Sequence, residues 1–399
     1  MQIREKKKIG LVLSGGGIKA AAFHIGVCLA LKEKGFRFAG GTKDLVRHAF
    51  PEGDPLTVRV YVGSSAGSFV SSILASGYDV ESLVNAFQLG TRHKARFTGR
   101  HIKALRPFSY RYVFAFNGRS LLNYVPRSLF GDSWLAGGFE AFMKSGLKLN
   151  GFFTTAGVER YLRKHALVEN DFSRLGVELY VVATQLNHSR KVIFGPYPES
   201  WKTADTKFVH YASISEAVAS STALPPVFAP YGIHRPDGKE LFFYDGEIRE
   251  TLSAHIAADN GCDLVISSYS VQPYHFTNEV GSLHRYGIPV IINQALYQAI
   301  QQKIAKHIEW NRRHKELYTT IDHFFKDEGL PEAKRKKLLE KLEKQIHMRP
   351  STDYIYISPR AQNPDMFFAD HFSLNANTLE KIVRIGFKSA LHALRPYGL

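Results

Sequence analysis

The sequence predicts an α/β fold built on a mainly parallel sheet. Three observations carry that expectation. Short apolar runs of strand type alternate with helical stretches along most of the chain. Two of the strand-to-helix junctions are glycine turns, Ser14-Gly15-Gly16-Gly17 and Gly63-Ser64-Ser65-Ala66-Gly67. The chain has 399 residues, 44% of them apolar, which is enough for a large core. No break in composition demands a second domain. Residues 1–399 therefore read as one domain, with a basic, aromatic insertion or cap around 90–150 and a helical C-terminal part around 290–350.

The elements follow in order. Residues 9–13 form a short buried-type strand. After the glycines, residues 18–34 make a helix that stops at Gly35, a residue suited to the position after a helix end. Residues 57–62 are the next strand, and the helical stretch after it breaks at Gly77. Residues 177–184 and 191–194 are strands, and 213–220 is a short helix. Pro225 and Pro226 then force an extended loop. Residues 240–244 and 263–268 are strands. Residues 292–317 and 331–347 are amphipathic helices, 353–358 a last strand, and 375–394 a last helix.

Composition excludes several classes. Cys28 and Cys262 stand far apart in apolar settings, which argues against a disulfide scaffold or a cysteine metal site. No run of about 18 apolar residues exists, so no transmembrane helix is expected. Lys6, Lys7 and Lys8 precede an apolar stretch, but Gly15-Gly16-Gly17, Lys19 and His24 interrupt it. A cleaved signal peptide is not expected, and the location reads as cytoplasmic or peripheral to a membrane.

The formal charge of +16 favours an anionic partner. Residues 82–131 hold nine Lys/Arg and nine Phe/Tyr with no Asp or Glu, so the charge there is unopposed. That mixture suits an anionic membrane surface, or a solvated basic face over an aromatic core, better than nucleic acid. The basic helix at 331–347 has the same two readings, lying on a membrane or packed on its own core.

Candidate chemistry gathers at three places. Gly63-Ser64-Ser65-Ala66-Gly67 reads G-x-S-x-G between a strand and a helix, the context of a nucleophile elbow with Ser65 at its centre. Gly15, Gly16 and Gly17 leave backbone N–H groups free to receive a phosphate or a developing oxyanion. As a dinucleotide fingerprint the run to Ala20 lacks an acidic residue at the end of the next strand. As a P-loop it lacks Ser or Thr after Lys19. An oxyanion hole fits best, because the very next strand ends in the candidate nucleophile. Third, Asp245-Gly246 ends a strand, where it is either a carboxylate at the sheet edge or an ordinary turn.

With these residues together, the chain resembles the patatin-like phospholipases. Ser14 to Lys19, the Ser65 elbow, Ala219 to Pro225 and Asp245-Gly246 carry the likeness, in order and in strand context. Ala20 and Glu247 depart from it, where the family usually has Gly and Gly or Ala. The resemblance implies a three-layer α/β/α fold and hydrolysis of phospholipid or another acyl-ester lipid without cofactor or metal. It implies a dyad in which Asp245 takes the Ser65 proton, with the glycine loop holding the oxyanion. Lys19 would complement a substrate phosphate or sit on the surface. Two other readings stand beside it. One is an α/β-hydrolase triad using His255 or His371. The other is a lipid- or nucleic-acid-binding protein that has lost turnover.

Overall fold

A computed structural model describes residues 2–89, 104–116, 151–188, 190–198, 205–346, 349, 351–361 and 363–399. Most of the 90–150 segment, and with it most of its cations, lies outside those residues. The chain opens with β1 (Ile9–Leu13), α1 (Gly17–Glu33), β2 (Arg37–Phe38), α2 (Lys43–Ala49), β3 (Thr57–Ser64), α3 (Ala66–Ala75) and α4 (Val80–Ala86). It continues with α5 (Tyr110–Val113), β4 (Ala115–Phe116), β5 (Phe153–Thr154), α6 (Ala156–Tyr161), β6 (Glu178–Gln185), β7 (Arg190–Phe194), β8 (Thr206–Val209) and α7 (Ile214–Ser221). Then come β9 (Tyr231–His234), β10 (Glu240–Asp245), α8 (Ala254–Asp259), β11 (Leu264–Ser268), α9 (Ile288–Asp327), α10 (Glu332–Ile346), β12 (Asp353–Ile357), α11 (Pro364–Phe368) and α12 (Ala376–Leu394).

The main sheet runs β12-β11-β1-β3-β6-β10-β9, with β7 and β8 beyond the other side of β6. The five strands from β12 to β6 are parallel. Helices cover both faces, giving the expected three-layer α/β/α architecture. Side-chain alternation builds the two interfaces. Leu11, Leu13 and Tyr61 enter the core under α1, α3 and α12. Val12, Val60 and Val62 enter the opposite core with Ile256 of α8 and Ile304 of α9. Gly26 and Gly386 let α1 and α12 touch backbone to backbone. A Cβ on Gly26 would lie 2.0 Å from the Val383 carbonyl oxygen.

The expected break at Gly77 is present, at φ +93° between α3 and α4. Two sequence expectations change. The predicted 292–317 helix is 40 residues long, the whole of α9, and α10 folds back on it through Leu339 and an Arg335–Asp322 ion pair of 3.0 Å. The strand that ends in Asp245 is antiparallel to β6 rather than part of the parallel set. The reason is length. β6 outruns β3 and offers Ala183–Gln185 as a free edge, which β10 fills from the opposite direction.

Candidate active site

That register decides the site. Ser64, the last residue of β3, pairs with Val182, and Asp245, the last residue of β10, pairs with Ala183. Two strands thus meet end to end along one side of β6, and the residues at their tips are brought together. The Ser65 side chain lies close enough to the Asp245 carboxyl to stabilise its charged form. Both residues are buried.

Ser65 adopts φ 50°, ψ −124° at the start of α3. A side-chain-bearing residue pays roughly 1–3 kcal/mol for such a conformation. The surroundings over-determine it. A Cβ on Gly63 would fall 2.4 Å from Ser68 Cα, and one on Gly67 would fall 2.0 Å from the Leu13 carbonyl oxygen. The elbow therefore needs both glycines for close packing. The Ser65 N–H donates to Ser221 Oγ at 2.7 Å, and Ser221 Oγ donates to the Val182 carbonyl at 2.6 Å. Two residues on, the Ala223 carbonyl accepts the Asp245 N–H at 3.0 Å. The stretch from Ser221 to Ala223 thus braces both tips at once. Its part in the site had no signal in the sequence beyond the family likeness.

Burial pushes the Asp245 carboxyl up to about 6, while hydrogen bonds from Ser65 and the Glu247 N–H oppose the rise. Glu247 lies beside it. Its Oε1 accepts the Gly15 N–H at 2.7 Å. Burial, and then the neighbouring Asp245, push Glu247 up to about 8, so it is largely protonated at neutral pH. This corrects the glycine-loop expectation at one residue, because the Gly15 N–H is already engaged. Gly16 and Gly17, at φ +131° and +73°, have no N–H acceptor among the described residues, and Gly17 opens α1. Their donors stand at a helix N-terminus, which favours negative charge.

Lys19 does not line the cavity at Ser65 and is not on the surface. It is fully buried, and its ammonium donates to the Tyr297 hydroxyl at 2.7 Å and the Met366 carbonyl at 2.9 Å. Loss of hydration pulls its pKa down to about 7, against the pull of Asp370. His24 is likewise a buried brace, joining the Ser14 carbonyl to Ser268 Oγ. His371 Nε2 meets the Tyr297 hydroxyl at 2.7 Å, and His255 is held between Glu250 and Lys191. Among the described residues no hydrogen bond joins either ring to Ser65 or Asp245.

A cavity of about 70 Å³ opens beside Ser65. Phe69, Phe87, Phe108, Phe228 and Phe372 wall it, with Ile18 and Leu224, and its polar lining is Ser65, Thr155 and Thr222. The lining is almost wholly apolar. The profile of the patatin-like phospholipases matches residues 11–258, which hold the glycine loop, the elbow and the Asp245 strand. The chain belongs to that family. No curated protein matches it. In this patatin-like chain the family match ends before the sheet does, since β11 and β12 extend it beyond β1. Family membership makes the protein a lipid acyl hydrolase acting on lipid substrates. No helix among the described residues is long and apolar enough to cross a membrane.

Proposed function

We propose that the protein cleaves acyl esters of phospholipids or lysophospholipids through a Ser65–Asp245 dyad. The observation that carries this reading is the end-to-end meeting of β3 and β10 on successive residues of β6. An alcohol needs an adjacent base to attack an ester at neutral pH, and Asp245 is the carboxylate whose charge the Ser65 side chain stabilises. Asp245 takes the Ser65 proton as Oγ attacks the ester carbonyl. The N–H groups of Gly16 and Gly17 hold the tetrahedral oxyanion. The proton passes to the departing alcohol, and the acyl group stays on Ser65. Water, deprotonated by Asp245, then releases the fatty acid. The aromatic cavity holds the acyl chain. Gly15 contributes through Glu247, by fixing the loop. A second role for Lys19 at substrate is not part of this reading.

Fluorophosphonate labelling tests it. The reagent should modify the wild-type protein at Ser65 and leave folded Ser65→Ala unlabelled. A folded wild-type protein that resists the reagent, and hydrolyses no member of a phospholipid and lysophospholipid panel, would defeat the hydrolase reading and favour a lipid-binding protein.

A further inference from the structure

A groove of about 970 Å³ lies beside α12, away from the Ser65 cavity. One side of α12 buries Leu379, Ile382, Gly386 and Ala390. Its other side presents Lys381, Arg384 and Lys388, at spacings that keep them on one helical face, and Arg395 follows at its end. Lys34 and Arg360 line the same groove. Lys381 is paired with Asp365 and Arg384 with Glu380. Among the described residues, Lys34, Arg360, Lys388 and Arg395 have no carboxylate partner. Pro364, Ile385, Leu391 and Leu399 give the groove an aliphatic component, and its lining holds no Phe, Tyr or Trp on which bases would stack.

The groove is joined to a second feature. Pro364 and Asp365, at the start of α11, line it. At the other end of α11, the Phe368 ring lies 5.2 Å from that of Tyr286. Next to Tyr286, the first turns of α9 expose Ile288, Ile291, Ile292 and Leu296, and Ile288 is 72% exposed. The chain runs on from Phe368 to Phe372, which walls the Ser65 cavity. Residues 358–361 leave the C-terminal end of β12, the same sheet edge that carries the elbow, and 363–372 follow them. They therefore link a cationic groove, an aliphatic ledge and the substrate cavity.

We propose that this face docks on an anionic bilayer, with phospholipid headgroups in the α12 groove and the Ile288–Leu296 ledge in the membrane interface. Cations attract anionic headgroups, aliphatic side chains enter the acyl boundary, and Tyr rings suit the level between them. The charge of +16 adds long-range attraction. The orientation rests on the lipid-hydrolase reading, because it turns the cavity toward its substrate.

The test is flotation of Ser65→Ala protein, which cannot degrade the vesicles, with phosphatidylcholine liposomes with or without phosphatidylglycerol. Binding should depend on phosphatidylglycerol and weaken with salt. At about fivefold per cation, R360Q/K388Q/R395Q should partition roughly 100-fold less. I288S/I292S should partition about tenfold less through lost apolar burial. In the Ser65 background both sets should turn over dissolved p-nitrophenyl butyrate as the parent does. Binding indifferent to phosphatidylglycerol, or a triple variant that floats like its parent, overturns the proposal. So does a triple variant that loses a single-stranded oligonucleotide yet still floats. Absence of ester turnover by the Ser65 protein would instead defeat the hydrolase reading and leave the flotation result intact.

Discussion

The Gly15 N–H donates to Glu247 Oε1 at 2.7 Å, so a buried carboxyl occupies one donor of the glycine loop. The Glu247 N–H in turn donates to Asp245 Oδ1 at 2.9 Å. One residue therefore ties the loop to the proposed base. Where the family likeness leads to Gly or Ala, this chain has a residue that bridges the two.

Glu247→Gln keeps the acceptor for Gly15 and removes the titration. Burial raises the folded carboxyl to about 8 from an ordinary value near 4.5. Between those pH values the folded protein holds a proton that the unfolded chain releases, so stability falls as pH rises through the window. The wild-type melting temperature should drop from pH 5 to pH 8 relative to that of Glu247→Gln. The gap should reach the order of a few kcal/mol, at about 1.4 kcal/mol per pH unit. Thermal melts at the two pH values check this. Parallel curves would show that Glu247 does not titrate there.

The pH–rate profile has its own expected limb. Asp245 must be ionised to accept a proton, and burial holds it at about 6. The value of kcat/KM for a dissolved ester should rise tenfold per pH unit below that value and level off above it. A profile flat from pH 4.5 to 7 would remove Asp245 from the rate.

Ser221→Ala removes the acceptor of the Ser65 N–H and leaves that buried donor unpaired. The expected loss is about 1–3 kcal/mol of stability. Activity should fall further than the remaining folded fraction explains, because the strained elbow loses its brace. Chemical denaturation and specific activity on one preparation separate the two effects.

Lys19→Met keeps the volume and deletes two hydrogen bonds together with a poorly hydrated charge. The ratio of phospholipid to p-nitrophenyl ester turnover should stay within about twofold, whereas a lost phosphate contact would cost tenfold or more. A selective loss on phospholipid would restore Lys19 to the substrate site.

Much of this was legible in the sequence because it rests on local rules. Strand, glycine turn and helix at Gly15–Gly17 and at Ser65 are short-range patterns, and both sit where the pattern puts them. Burial of Lys19 was not legible. Its partners, Tyr297 and Met366, are 278 and 347 residues away, and a lysine after a glycine loop reads as solvent-facing or ligand-facing. The antiparallel course of β10 was hidden for a related reason. Direction depends on which edge of β6 is free, and nothing within residues 240–245 records that. Glu247 stood out as a departure in type, but its bond to Gly15 depends on a contact across 232 residues. The α12 groove is assembled from Lys34, the 360–365 stretch and the last helix, so no single window of sequence displays it.

The central claim is that Asp245, and no histidine, takes the proton of Ser65. The most direct measurement is kcat/KM on p-nitrophenyl butyrate for Asp245→Asn beside His255→Ala and His371→Ala. Loss of the base should lower the rate about 10²–10⁴-fold, while each histidine variant stays within a small factor of wild type. A folded Asp245→Asn protein that retains turnover while either histidine change abolishes it would contradict the account.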